Sequence, residues 1–113
     1  MIPYERIKAP LLILAAGSDD LWPSYVSAEH IRRRMEALGK AGQVEIHVFP
    51  DAGHLLVAVG RGNAVSSFSY SSSLKGYMST GGTANGNCEA SFDAFGQMLR
   101  FLNSLNAVTR PRR

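Results

Sequence analysis

The chain has 113 residues, of which 45% are apolar and 19% charged, and its formal net charge is +3. This balance is typical of one small globular domain and excludes a disordered or fibrous chain. The single cysteine, Cys88, excludes an internal disulfide and a cysteine-cluster metal site, and we expect neither a metal nor a cofactor.

The distribution of apolar and basic residues argues against two kinds of partner. The longest apolar run, residues 9–16, is too short to span a bilayer, and the N-terminus lacks the order of regions found in a signal peptide. We therefore expect a cytoplasmic protein without a membrane partner. Arginines cluster at residues 32–34 and in a basic tail at 107–113, but no aromatic residues interleave them, so nucleic-acid binding is not expected.

The first half of the chain predicts a strand followed by a helix. The continuous apolar run 9–16 predicts a strand buried on both faces, as in parallel sheets. A polar loop, residues 18–24, follows it. Ser27 is predicted to cap a helix that Gly39 and Gly42 end. The apolar positions of this helix are Ile31, Met35 and Leu38.

The second half predicts one more strand, a long loop and a final helix. Residues 44–49 alternate between apolar and other side chains, which predicts a strand parallel to the first in a βαβ unit. Residues 60–87 are rich in Gly, Ser, Asn and Thr and predict a long loop. A helix is predicted from about residue 89 to 105. Its apolar stripe is Phe92, Phe95, Leu99, Leu102 and Leu105.

These elements form an α/β arrangement that is incomplete. A strand pair and two helices do not cover both faces of a parallel sheet, and the apolar run 9–16 calls for neighbouring strands that the chain does not contain. Residues 1–113 are therefore predicted to be a single partial domain, a βαβα portion of a larger parallel fold.

Three residues that could carry chemistry follow the two predicted strands. Asp19 and Asp20 come directly after the first strand, and His54 comes after the second. Carboxyl ends of parallel strands meet at one edge of a sheet, where a carboxylate can orient an imidazole that acts as a general base. The alternative is a turn-capping aspartate before Pro23 and an ordinary loop histidine. The order of acid and then histidine at successive strand ends favours the catalytic pair.

Several segments of the chain also carry a family pattern, among them Asp-Asp-Leu-Trp-Pro-Ser at 19–24 and Asp-Ala-Gly-His at 51–54. The others are residues 7–14, 81–83 and 92–95. Together they resemble the C-terminal domain of acyl-CoA thioesterases and bile acid-CoA:amino acid N-acyltransferases, and dienelactone-hydrolase-like enzymes more broadly. The resemblance implies an α/β-hydrolase fold in which Asp20 is the triad acid and His54 the triad base. Asp19 would then be a supporting loop residue.

The chain departs from that family at the nucleophile. The resemblance implies a serine or cysteine in a G-x-S/C-x-G elbow before the acid, but only nineteen residues precede Asp20 and neither motif occurs in the sequence. The backbone donors of the oxyanion hole are missing with the elbow. We therefore expect an acyl-CoA thioester hydrolase segment that supplies acid and histidine and is inactive alone. Once completed, it would act on acyl-CoA or another ester or thioester.

A second hypothesis is a non-catalytic remnant or binding module. The strand at residues 9–16 would present an open edge, which favours pairing with the sheet of a second copy or of a partner subunit.

Overall fold

A computed structural model describes residues 2–57 and 66–109, which form a mixed α/β structure. Its strands and helices are β1 (Leu11–Ala16), α1 (Ser24–Ala37), β2 (Val44–Phe49), β3 (Phe68–Ser71), β4 (Gly76–Ser79) and α2 (Ala84–Thr109). Short 3-10 turns lie at Tyr4–Arg6, Ala41–Gln43 and His54–Val57.

β1 and β2 form the predicted parallel pair. Leu11 lies opposite Val44 and Ala16 lies opposite Phe49, so the six residues of each strand pair along their whole length. β2 has the bounds that its alternating pattern predicts. The parallel register confirms the βαβ unit.

β1 is shorter and less covered than its apolar run suggests. It begins at Leu11 instead of residue 9, because Pro10 has no N–H to give to a ladder. Within the strand only Ala15 and Ala16 are fully buried, and Leu11 to Leu14 are half-buried. The expected burial on both faces is therefore reached only at the carboxyl end of the strand.

α1 begins three residues before the predicted cap. Its first residue is Ser24, which follows Pro23, so Ser27 lies inside the helix and the prediction of a cap there was wrong. The Ser24 hydroxyl accepts a hydrogen bond from the N–H of Ala16 at 3.1 Å and donates one to its carbonyl at 3.0 Å. This double contact joins the start of α1 to the end of β1. The helix ends before Gly39, whose φ of +70° suits glycine, as predicted.

A β-hairpin replaces part of the loop expected over residues 60–87. β3 and β4 are antiparallel, with Phe68 opposite Ser79 and Tyr70 opposite Tyr77. The two tyrosine rings meet edge to face with their centroids 5.3 Å apart. Alternating aromatic and serine residues were the signal for a strand here, hidden by the serine content of the segment. The remainder of that loop up to residue 65 lies outside the described residues.

α2 is longer than predicted at both ends. It begins at Ala84 instead of residue 89, because the Thr83 hydroxyl accepts the N–H of Gly86 at 2.9 Å and caps the first turn. It continues to Thr109, so residues 107–109 of the expected basic tail are helical, and residues 110–113 lie outside the described part. No helix in the described segments combines the length and apolar character needed to cross a bilayer.

The face of α2 that packs on the body is lined by small residues. Its buried side chains are Asn87, Ala90, Ser91 and Ala94. The predicted apolar stripe is turned outward: Phe92, Phe95, Leu99 and Leu102 are 39–56% exposed, and Leu105 is half-buried. Small residues let the helix approach the loops beyond β2 closely. The core cluster consists of Ala16, Ala52, Leu56, Ala90 and Ala94, with Leu14 and Phe49 packed against it.

The connection between β4 and α2, residues 80–82, passes between the loops that follow β1 and β2. Gly81 bridges to Asp19 and Gly82 bridges to Ala52, both in antiparallel fashion. Both glycines have φ near +75°, and a Cβ on Gly81 would lie 1.8 Å from the carbonyl oxygen of Ser18. Only glycine fits this crossing.

Replacing Gly81 with alanine should destabilise the fold strongly. The substitution combines left-handed backbone strain with a clash against fixed backbone, and we expect the free energy of unfolding to fall by about 2 kcal/mol or more. Gly39→Ala is the matched control, because Gly39 has a φ of +70° and no atom within 4 Å of the added Cβ. Strain alone should cost about 1 kcal/mol there. If urea unfolding shows the same loss of unfolding free energy in both variants, the clash at position 81 has no energetic effect, which would contradict this prediction.

Candidate active site

An aspartate and a histidine meet at the carboxyl ends of β1 and β2. The Nδ1 atom of His54 lies 3.1 Å from Oδ2 and 3.2 Å from Oδ1 of Asp19. The Asp19 side chain is 4% exposed, and that of His54 is 37% exposed. The strand order suggested that an acid and a histidine meet here. They do, and the acid in contact with His54 is Asp19.

Asp20 faces a different partner. Its Oδ2 atom accepts a hydrogen bond of 2.5 Å from the hydroxyl of Ser79 in the hairpin, and the residue is exposed. The structure brings His54 to Asp19 and not to Asp20, the residue to which the family pattern assigned the acid.

Asp19 also organises its own loop. Its Oδ1 atom accepts the backbone N–H groups of Leu21 at 3.0 Å and Trp22 at 2.9 Å. This is an Asx-type turn, the turn-capping arrangement considered for the aspartates before Pro23. The same carboxylate thus caps the turn and holds the histidine, and the two interpretations do not exclude each other.

The surroundings of Asp19 keep its carboxyl ionised. Burial acts to raise the pKa of Asp19, but hydrogen bonds from the Trp22 N–H, the His54 ring and the Leu21 N–H outweigh it, and the pKa is lowered. A carboxylate has no proton to donate, so the proton between the two side chains belongs on Nδ1 of His54. The other ring nitrogen, Nε2, then carries the lone pair that a general base needs.

The backbone of the histidine loop is fixed by two buried polar residues. Thr80 accepts the N–H of His54 at 2.7 Å through its carbonyl, and Asn87 accepts the N–H of Gly53 at 2.7 Å through Oδ1. Both residues are buried. Sequence reasoning missed them. The sequence did carry a signal for Asn87: it precedes Ala90 by three residues and Ala94 by seven. This helical spacing places its polar side chain on the same packed face of α2 as the two alanines.

A small cavity of about 210 Å³ opens beside His54. Its lining residues are Leu14, Ala16, Asp19, Trp22, Ser24, His54 and Leu56. Apart from the acid, the histidine and Ser24, the walls are apolar, and Trp22 is 61% exposed. The cavity can therefore hold an apolar group next to the imidazole. Among the described residues, no three side chains of the metal-binding types converge on one point.

A larger open groove of about 550 Å³ lies at the other end of α1, away from His54. Its lining includes Arg33 and Arg34 from the basic cluster at residues 32–34. The charges of that cluster are paired: Arg32 and Arg33 bind Glu29, and Arg34 binds Glu5, each at 2.7 Å. The acid–histidine contact lies at the smaller cavity and not in this groove.

Comparison with known proteins assigns the chain to a family. The family model described as "BAAT / Acyl-CoA thioester hydrolase C terminal" matches residues 1–106. The chain therefore belongs to this family of acyl-CoA thioesterase and acyltransferase C-terminal domains, as the sequence motifs suggested. No curated protein matches the sequence.

The lowered pKa of Asp19 predicts a specific dependence of stability on pH. A carboxyl whose pKa is lower in the folded state stabilises the fold above its ordinary value of 3.8, and the contribution is lost as pH falls through the folded-state pKa. Asp19→Asn keeps the acceptor for Leu21 and Trp22 but cannot titrate. We expect the decline of the unfolding free energy, as the pH falls through the ordinary value of 3.8 and below it, to be shallower in this variant.

Urea unfolding at a series of pH values measures this slope. His54→Ala should give an intermediate slope, because it removes one of the groups that lower the pKa of Asp19. If the unfolding free energy of Asp19→Asn falls with pH as steeply as that of the wild type, the contacts of Asp19 do not lower its pKa in the folded state.

Proposed function

We propose that this chain supplies the acid and the base of an acyl-CoA thioester hydrolase with an α/β-hydrolase fold, Asp19 being the acid and His54 the base. The observation that carries the proposal is the contact between the Asp19 carboxylate and Nδ1 of His54, at the edge of an apolar cavity, in a chain of the thioester hydrolase family.

The chemistry follows from the state of the imidazole. Nε2 of His54 takes the proton of a serine or cysteine nucleophile as that group attacks the thioester carbonyl. The C–S bond then breaks, and the imidazolium returns its proton to the leaving thiolate. A water molecule, deprotonated by the same nitrogen, then attacks the acyl carbon; the bond to the nucleophile breaks, the acid is released, and the imidazolium returns its proton to the nucleophile. Asp19 holds the ring and stabilises its charged form throughout.

The nucleophile is proposed to come from outside residues 1–113. The serine hydroxyls nearest the site each donate their proton to another group: Ser18 to Pro50, Ser24 to Ala16, and Ser79 to Asp20. The sequence has no G-x-S-x-G or G-x-C-x-G elbow. A further part of the same protein or a partner subunit would contribute the elbow and the oxyanion hole.

β1 offers the place where such a part can attach. The parallel sheet contains only β1 and β2 among the described residues, so one side of β1 has no strand beside it. The backbone groups of Ala16 on that side are bonded by Ser24, and strand alternation directs those of Leu12 and Leu14 the same way. Leu14 also lines the His54 cavity. A strand added at Leu12 and Leu14 would therefore adjoin the site.

The first experiment is to sequence the source DNA for several hundred bases upstream of Met1. An in-frame extension or an adjacent gene that encodes a G-x-S/C-x-G elbow supports the proposal and identifies the nucleophile. Stop codons with no elbow in the neighbouring genes would overturn catalysis by this chain.

In a polypeptide that includes the elbow, Asp19→Asn and Asp20→Asn should differ sharply. Loss of the carboxylate that fixes the histidine tautomer is expected to lower kcat by about 10⁴-fold. Asp20→Asn is the matched control, because it changes the neighbouring carboxyl, which contacts Ser79, and kcat should change by less than about 10-fold. If an acyl-CoA hydrolysis assay shows the larger loss of kcat in Asp20→Asn, Asp20 is the acid.

Residues 1–113 alone are expected to show no saturable cleavage of acyl-CoA, since a base without a nucleophile has no covalent route. The hydrolysis assay is run on wild-type chain, His54→Ala and His47→Ala, the last being a histidine within β2 that contacts Glu45. Saturable cleavage that His54→Ala abolishes and His47→Ala retains would contradict the need for a separate nucleophile.

A second candidate function is that of a binding or dimerising module. It is favoured by the open side of β1 and by the outward stripe on α2, where Leu99 is 44% exposed. Sedimentation of the chain at increasing concentration tests it. Self-association that Leu99→Lys weakens and Asn103→Lys, an exposed control on the same helix, leaves intact would favour this function. A monomer at every concentration would count against a homodimer.

A further inference from the structure

We infer that Asn87 is the residue that positions His54, by joining the histidine loop and the segment 80–82, which bridges to the acid, to the start of α2. The inference rests on the proposed roles of His54 and Asp19 and adds a third residue to that site. The side-chain hydrogen bonds that carry the inference go from Asn87 to backbone groups of Gly53 and Gly81, so the role assigned to it is to position.

Asn87 contacts the histidine loop and the segment 80–82, which in turn bridges to the acid. Its Oδ1 atom accepts the N–H of Gly53, the residue before His54, at 2.7 Å. Its Nδ2 group donates to the carbonyl of Gly81 at 3.4 Å, and Gly81 is bridged to Asp19. One amide side chain therefore spans from the histidine loop to the segment that adjoins the acid.

The space around this amide is closed. Asn87 is 3% exposed, and a Cβ on Gly82 would lie 2.3 Å from its Oδ1 atom. A Cβ on Gly53 would lie 2.1 Å from the carbonyl oxygen of Gly81. Because these segments touch without spare volume, a movement of the Asn87 amide is transmitted to the backbone on both sides.

The helix gives the amide a fixed base. Asn87 lies in the first turns of α2, its own N–H bonds the carbonyl of Thr83, and the adjacent face of the helix packs into the core at Ala90 and Ala94. Removal of the amide would leave the N–H of Gly53 buried without an acceptor, which the loop can relieve only by moving. Because His54 follows directly, such a movement would lengthen its contact with Asp19.

The test is the protonation pattern of the His54 ring. In ¹⁵N-labelled chain, above the pH at which the imidazole is charged, nitrogen shifts report which ring nitrogen carries the proton. Wild-type chain should show a single form with the proton on Nδ1. Asn87→Ala should lose that form in favour of a mixture, and Asn87→Asp, which keeps the acceptor for Gly53 but loses the donor to Gly81, should lie between them.

The controls separate a positioning role from a purely structural one. Ser91→Ala removes another buried polar group from the same helix face and should keep the wild-type ring pattern despite lost stability. Backbone amide spectra show which variants are folded, and the nearly isosteric Asn87→Asp provides the measurement if Asn87→Ala unfolds. A folded Asn87 variant with the wild-type pattern would overturn the inference. A wild-type ring protonated on Nε2 would instead overturn the proposed Asp19–His54 pair.

Discussion

The passage of residues 80–82 between two loops is the constraint on which the site depends. The loop after β1 carries the acid, the loop after β2 carries the histidine, and this segment bridges to both through Gly81 and Gly82. It also supplies the Thr80 carbonyl that holds the N–H of His54. The two loops also bond to each other directly, since Ser18 donates its N–H to the carbonyl of Ala52, and residues 80–82 add a second connection between them. The acid–histidine distance is set by backbone hydrogen bonding as much as by attraction between the two side chains.

This crossing also explains the unusual placement of side chains on α2. A helix that follows so short a connection must lie close to the histidine loop, and residues as small as Ala90 and Ala94 permit that approach. A Cβ on Gly86 would meet the carbonyl oxygen of Asp51 at 2.3 Å, which shows how near the first turn comes. The aromatic and leucine stripe consequently has no room on this side and lies on the outer face. Periodicity alone could not reveal which of the two faces would be packed.

The sequence predicted the features that local pattern controls and missed those that depend on distant contacts. The alternation in β2, the parallel βαβ unit and the meeting of an acid with a histidine all follow from apolar patterning and strand order. The start of α1 was missed because the Ser24 side chain bonds to β1 and not to its own helix. Asp19 and Asp20 have the same side chain, and the choice between them depends on Gly81 and Ser79, which lie far along the chain. Neither residue shows any sign of that contact in its immediate sequence.

The Ser24 hydroxyl has a further consequence for how the sheet can grow. By occupying both the N–H and the carbonyl of Ala16, it leaves the cavity residue Leu14 as the last open position on the free side of β1. Any incoming strand must leave the sheet at that level, whatever its own length. The contact of Ser24 with Ala16 therefore sets the position along β1 at which an added strand must turn away from the sheet. It thereby also sets how far any residue of that strand lies from the imidazole of His54.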